Sequence, residues 1–269
     1  MKKVSKKYLN GAAAGFIEEK LAGGFVSFPL DDLVAQTGLS ILAARNQLLR
    51  LGNGVVRVSP RQQYFLIVTP EHRSFGTPPV EWWMGDYMQW LGCPYYLALQ
   101  SAAAVHGSSQ QAIMETQVIT DLPRRMIEVG RIRIRFFMKA GVIASITQQL
   151  SGGYAPLNVS TPETTAFDLI RYAHNLGGVE RMAETVTPML PSIKAKALHR
   201  MLVAENEIAT SQRLGFVLDT LGAASLAKVV RDWLPLKLQR VLLALHMHDD
   251  KSVSADSKWG VVNNARCFL

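Results

Sequence analysis

Cysteine is nearly missing from this chain: its 269 residues include two, Cys93 and Cys267. There is no Cys-x-x-Cys pair and no Cys/His cluster, which excludes a disulfide framework or a structural zinc site and suits a cytosolic protein. Long apolar runs are missing too. No stretch of about 18 uncharged apolar residues occurs, so no membrane-spanning helix is expected. The N-terminal Met1-Lys2-Lys3-Val4-Ser5-Lys6-Lys7 resembles the start of a signal peptide, but Asn10, Gly11, Gly15 and Glu18-Glu19-Lys20 break up the apolar core that one requires. Charged residues make up only 19% and hydrophobic ones 48%, a globular balance that leaves little room for extended disorder. No internal repeat or low-complexity tract is present.

Catalytic signatures are lacking as well. The chain contains no Gly-x-x-x-x-Gly-Lys-Ser/Thr phosphate loop, no Gly-x-Gly-x-x-Gly after a strand, no His-Glu-x-x-His and no Gly-x-Ser-x-Gly. His246 and His248 stand beside Asp249 and Asp250, but a spacing of two on a helix points them apart, and they read as a solvated helix end. His106 closes an alanine-rich helix and reads as a cap or core histidine. Asp168, Arg171 and Tyr172 form a polar group that either binds something or anchors their helix through an Asp–Arg pair. No nucleophile, base and orienting group can be assigned together. A protein that is not an enzyme, with neither cofactor nor metal, is expected.

What is present is concentrated between Phe25 and Val68. A short apolar run, Phe25–Phe28, precedes Pro29–Gly38, a helix stopped by glycine. Ser40 stands as N-cap of Ile41–Leu51. Two β-branched or aromatic runs follow, Val55–Val58 and Tyr64–Val68, joined by Ser59-Pro60-Arg61-Gln62-Gln63. Helix, turn, helix and hairpin make the layout of a winged helix-turn-helix, whose second helix enters a DNA major groove. With Ile41, Ala44, Leu48 and Leu51 assigned inward, Ala43, Arg45, Asn46, Gln47, Leu49 and Arg50 stay exposed. Arginine pairs with guanine, and Asn or Gln with adenine. Ser40 at the helix start suits a phosphate, and Arg57 and Arg61 belong to the wing. Of the net charge of +8, residues 1–80 carry 10 cations and 5 acids and the remainder 19 and 16. Lys6 and Lys7 add to this N-terminal excess, as a phosphate-binding surface requires.

Before the winged segment, residues 6–22 read as a helix. After it, Thr69–Pro79 holds three prolines and a glycine and reads as a boundary. The expected plan is α+β: a winged helix-turn-helix domain over 1–76, then a mixed α/β, mostly helical domain over 77–269. Val80–Leu91 reads as a helix carrying Trp82, Trp83 and Trp90, an aromatic packing element. Arg131–Phe137 alternates strictly, with Arg131, Arg133 and Arg135 on one face and Ile132, Ile134 and Phe136 on the other. With Arg124 and Arg125 these arginines form a second basic surface. It would extend the DNA surface, bind the RNA or nucleotide that a partner uses, or simply be solvated. From Thr161-Pro162-Glu163, a strong helix start, the chain is nearly all helical to Trp233.

Several blocks resemble the AbiEi-type antitoxins of bacterial abortive-infection, type IV toxin–antitoxin pairs. They are Tyr95-Tyr96 through His106-Gly107, Gln117–Thr120, Arg131–Ile134, Val159–Ile170, Gln212–Asp219 and Lys258–Asn263. The resemblance spans nearly the whole chain in order. It implies an N-terminal DNA-binding domain and a C-terminal antitoxin domain, repression of the protein's own operon at inverted repeats, and action against a nucleotidyltransferase-like toxin encoded nearby without a stable complex. It supplies no catalytic residues; Tyr95, Tyr96, His106, Thr161, Glu163, Asp168, Arg213 and Asp219 are nominated only as domain-defining. Arg124, Arg125, Arg131, Arg133 and Arg135 are the candidate antitoxin surface, and a monomer in solution is expected. The rival reading is a direct protein inhibitor, or a nucleotide- or RNA-binding enzyme, acting through the C-terminal domain.

Overall fold

The computed structural model describes residues 11–108, 115–150, 156–245, 247–248 and 251–265. Its elements run α1 (Ala12–Ala22), β1 (Ser27–Pro29), α2 (Leu30–Thr37), α3 (Ile41–Arg50), β2 (Val55–Arg57), β3 (Tyr64–Ile67), α4 (Met84–Trp90), β4 (Tyr95–Leu97) and α5 (Leu99–Val105). There follow β5 (Thr116–Thr120), β6 (Ile127–Val129), β7 (Ile132–Met138), β8 (Thr147–Leu150), β9 (Leu157–Ser160), α6 (Pro162–Arg171), α7 (Val179–Val186), α8 (Ala195–Glu205), α9 (Ile208–Thr220), α10 (Ala224–Trp233), β10 (Val241–Leu242) and β11 (Val261–Val262). The α+β class expected from the sequence holds. The chain forms two compact units: residues 1–95, 114–139 and 149–158 make the first, and residues 96–113, 140–148 and 159–269 the second.

In the first unit, Gly38 adopts φ 72°, a conformation that only glycine reaches cheaply, and its N–H closes α2 on the Val34 carbonyl. Two residues later the Ser40 hydroxyl accepts the Ala43 N–H at 3.2 Å and starts α3. The hairpin strands β2 and β3 pair antiparallel, and β1 adds to the far edge of β3 in the register Phe28↔Phe65. Phe16, Phe28, Leu30, Leu33, Ala44, Leu48 and Phe65 form the core beneath this sheet. Phe28 stacks on Phe65 and meets Phe16 edge-on. The helices α1, α2 and α3 and the β2–β3 hairpin thus follow in the order expected from the sequence.

The remainder of the first unit departs from its sequence reading in two places. Val80–Leu91 is not one helix: Val80–Trp82 forms a 3₁₀ turn, and α4 begins at Met84. Trp83 is fully buried, while Trp90 packs against Tyr64 of β3 and Tyr87 of α4, so the aromatics do serve packing. On β7 the alternation slips. Ile134 is buried as expected, but Phe137 is buried where Phe136 was expected to be. β7 pairs with β6 on one side and β5 on the other, so it is an interior strand of the sheet, and its burial does not follow strict alternation.

The second unit is built around α6, whose residues Glu163–Ile170 are all buried. Helices α5, α7, α8 and α9 surround it. Thr161 caps α6 by accepting the Thr164 N–H, with proline at the first turn, as its sequence requires. The chain before it is extended, and Val159 of β9 lies parallel to Leu97 of β4.

Candidate nucleic-acid interface

Helix α3 buries Ala44 and Leu48 and turns the opposite side out. Arg45, Asn46 and Arg50 are exposed and make no hydrogen bond or ion pair among the described residues. Two expectations for this helix are corrected. Ile41, assigned to the core stripe, is 51% exposed, because α3 rotates Ala44 and Leu48 toward Phe16 and Phe28 and leaves its first turn outside. Gln47, assigned to the exposed face, is half-buried, and its Oε1 accepts the Ala13 N–H at 2.9 Å. It thereby satisfies a free donor in the first turn of α1 and ties that helix to α3. Ser40 is exposed, but its hydroxyl is already committed to the cap, so what it offers a phosphate is the helix start rather than a free side chain.

Arg57 ends β2 and Arg61 sits in the hairpin turn, both exposed. A groove of about 410 Å³ runs between α3 and the hairpin, with Arg45 and Arg57 among its lining and Leu48, Val55 and Phe65 supplying apolar wall. Its shape follows from the fold, since the hairpin stands beside α3 without covering it. Lys6 and Lys7 lie outside the described residues.

The arginines assigned to the second basic surface belong, by position, to the first compact unit. Arg133 pairs with its cross-strand partner Glu128 at 3.1 Å, and Arg135 with Glu115 at 3.3 Å. Arg131 lies over the Phe75 ring. Arg124 donates to Cys93 Sγ, and Arg125 is exposed. A recess of about 460 Å³ brings Arg124 and Arg125 together with Arg61. Thus the five do not form a free row of cations along β7; three of them have acidic or aromatic partners nearby, and two share a recess with the wing turn.

In the second unit several of the nominated domain-defining residues hold structural hydrogen bonds. The Tyr96 hydroxyl donates to Asp168 at 2.8 Å, and burial together with that carboxylate pushes it well above its ordinary titration range. His106 Nε2–H donates to the Ser160 carbonyl at 2.7 Å, so it is a satisfied structural histidine. Glu163 accepts the Lys194 N–H at 2.8 Å, and Arg213 Nε donates to the Leu242 carbonyl at 2.7 Å. Arg171 meets Glu207 at 2.6 Å, so it anchors α6 through a partner on the α8–α9 side and not by the expected Asp–Arg pair. Among the described residues no three His, Cys, Asp or Glu side chains gather as metal ligands. His246, Asp249, Asp250 and Cys267 lie outside them.

Asp219 anchors the end of the chain. Its carboxylate accepts Lys258 Nζ at 2.7 Å and Trp259 Nε1 at 3.0 Å, and these bonds hold its pKa below the ordinary aspartate range. A depressed carboxylate stabilises the fold above its unfolded pKa of about 3.9, and that contribution disappears as pH falls through the folded value. Thermal melts of Asp219→Asn should therefore lie below wild type at pH 6 and converge with it as pH drops below about 4. A constant offset across that range would refute the linkage.

The two compact units make an α+β protein whose first unit carries an exposed, uncommitted cationic helix face on α3. Residues 95–220 match the family model of the AbiEi antitoxin C-terminal domain. It supports an antitoxin role in a toxin–antitoxin system. The crystal structure of the RV2827C protein from Mycobacterium tuberculosis has a similar fold, with a TM-score of 0.64 over 97% of this chain and 94% of that one at 13% identity. No curated protein matches the chain. No helix among the described residues is long and apolar enough to cross a membrane.

Proposed function

We propose that this antitoxin is also the DNA-binding repressor of its own type IV toxin–antitoxin operon. The observation that carries the reading is the α3 face: Arg45, Asn46 and Arg50 stand exposed and unpaired on the second helix of a winged layout, with Arg57 and Arg61 exposed on the wing. In this reading α3 enters the major groove, the wing arginines and the N-terminal Lys6 and Lys7 contact phosphates, and the start of α3 at Ser40 meets the backbone. Residues 1–76 are the DNA-binding part. A monomer in solution loads as two copies on an inverted repeat. The remainder counters a nucleotidyltransferase-like toxin without a stable complex and without catalysis of its own.

The test is a gel-shift titration of the full chain on the DNA upstream of its own gene. At about 150 mM salt the operator should bind at least 1,000-fold tighter than a scrambled duplex, roughly the low end for specific regulators. Equal binding to both would reject the repressor reading and leave the antitoxin role untouched.

A further inference from the structure

Two side chains on α3 do not fit a purely polar reading face. Leu42 is 69% exposed and Leu49 is 77% exposed. They are seven residues apart, two turns along the same side of the helix, and turned by roughly 130° from the buried Ala44 and Leu48. Arg45 flanks this line on one side and Asn46 on the other. The leucines therefore hold the centre of the face, and the groups expected to read hydrogen bonds stand beside them. One exposed leucine requires no explanation. Two aligned between Arg45 and Asn46 are positioned to meet something apolar inside a charged, polar environment.

Resting on the reading of α3 as the base-contacting helix, we propose that Leu42 and Leu49 recognise thymine C5-methyl groups in the operator. That methyl is the apolar mark a base pair displays in the major groove. The surrounding charge suits duplex DNA: α3 has no acidic residue, and Arg45, Arg50, Arg57 and Arg61 are exposed around it. An axial rise of about 1.5 Å per residue separates the two leucines by about 10 Å, close to three base steps of about 3.4 Å. Each half-site should thus carry two thymines about three steps apart, with the bases read by Arg45 and Asn46 between or beside them.

The experiment uses the full chain and the operator, replacing thymines one at a time by deoxyuridine. This removes one methyl and leaves every hydrogen-bonding group in place. At each contacted thymine the Kd should rise about four-fold, the value of one buried methyl. Leu49→Ala should weaken binding to the natural operator and abolish sensitivity to one of the two substitutions while retaining the other; Leu42→Ala should do the converse. Both positions are exposed and alanine suits a helix, so these variants fold. Uridine at every position without effect, on an operator still preferred over scrambled DNA, overturns the proposal alone. Loss of that preference in the wild type overturns the DNA reading with it.

Discussion

Replacing Arg45, Asn46 and Arg50 together with alanine is expected to remove operator discrimination while leaving the fold intact. A good bidentate contact contributes about 1–3 kcal/mol of discrimination, so losing two or three of them should lower the operator-to-scrambled ratio by at least 100-fold. None of the three side chains is bonded within the described structure, so thermal stability should move by less than about 0.5 kcal/mol. Removing a wing charge instead, by Arg57→Ala or Arg61→Ala, should weaken operator and scrambled DNA alike. It should also reduce the slope of log K against log salt by about one. Fluorescence anisotropy on both duplexes across a salt series separates these behaviours. A triple variant that kept full discrimination would show that α3 does not read bases.

The other large effect belongs to the second unit. Gln212, Gly215 and Asp219 occupy one face of α9, and all three meet Trp259. Gln212 Nε2 donates to the Trp259 carbonyl at 2.7 Å, Asp219 accepts its indole N–H, and the ring lies flat against Gly215. A Cβ at position 215 would stand 2.0 Å from Trp259 Cζ3, inside any permitted contact. Ordinarily Gly→Ala within a helix gains about 1 kcal/mol. Here Gly215→Ala should destabilise by about 1–3 kcal/mol, because the ring must leave its seat. Trp259→Ala should cost about 3–5 kcal/mol, from lost burial and the cavity left behind. Urea unfolding followed by circular dichroism measures both. Any gain in stability for Gly215→Ala would contradict this packing.

Local chemistry explains which parts of this organisation were legible from residues alone. Gly38 after α2, Ser40 before α3 and Thr161-Pro162 before α6 act within one turn of where they stand, so their positions announce the elements they bound. The hairpin around Arg61 likewise follows from β-branched runs and a polar turn. The candidate site was harder to read. Leu49 was placed on the exposed face by the inward stripe, and its exposure holds, but Leu42 was assigned to neither face, because judging helix exposure by polarity passes over an apolar residue that faces outward. Gln47 shows the reverse error: a polar side chain was counted as free, whereas a neighbouring helix start had claimed it.

The order of elements, the succession of helices and hairpin near the N-terminus, the ends of the main helices and the similarity of residues 95–220 to an antitoxin domain were determined by the sequence by itself. These depend on capping, periodicity and motif, which act over a few residues or are preserved as strings. Tertiary structure alone decided how α3 is rotated, which arginines find acidic partners, and that Trp259 is seated against Gly215. It also decided that β7 lies between two strands and that the compact units interleave along the chain. Each of those outcomes depends on groups far apart in sequence competing for the same space or the same hydrogen bond, and such competition is resolved only when the chain has packed.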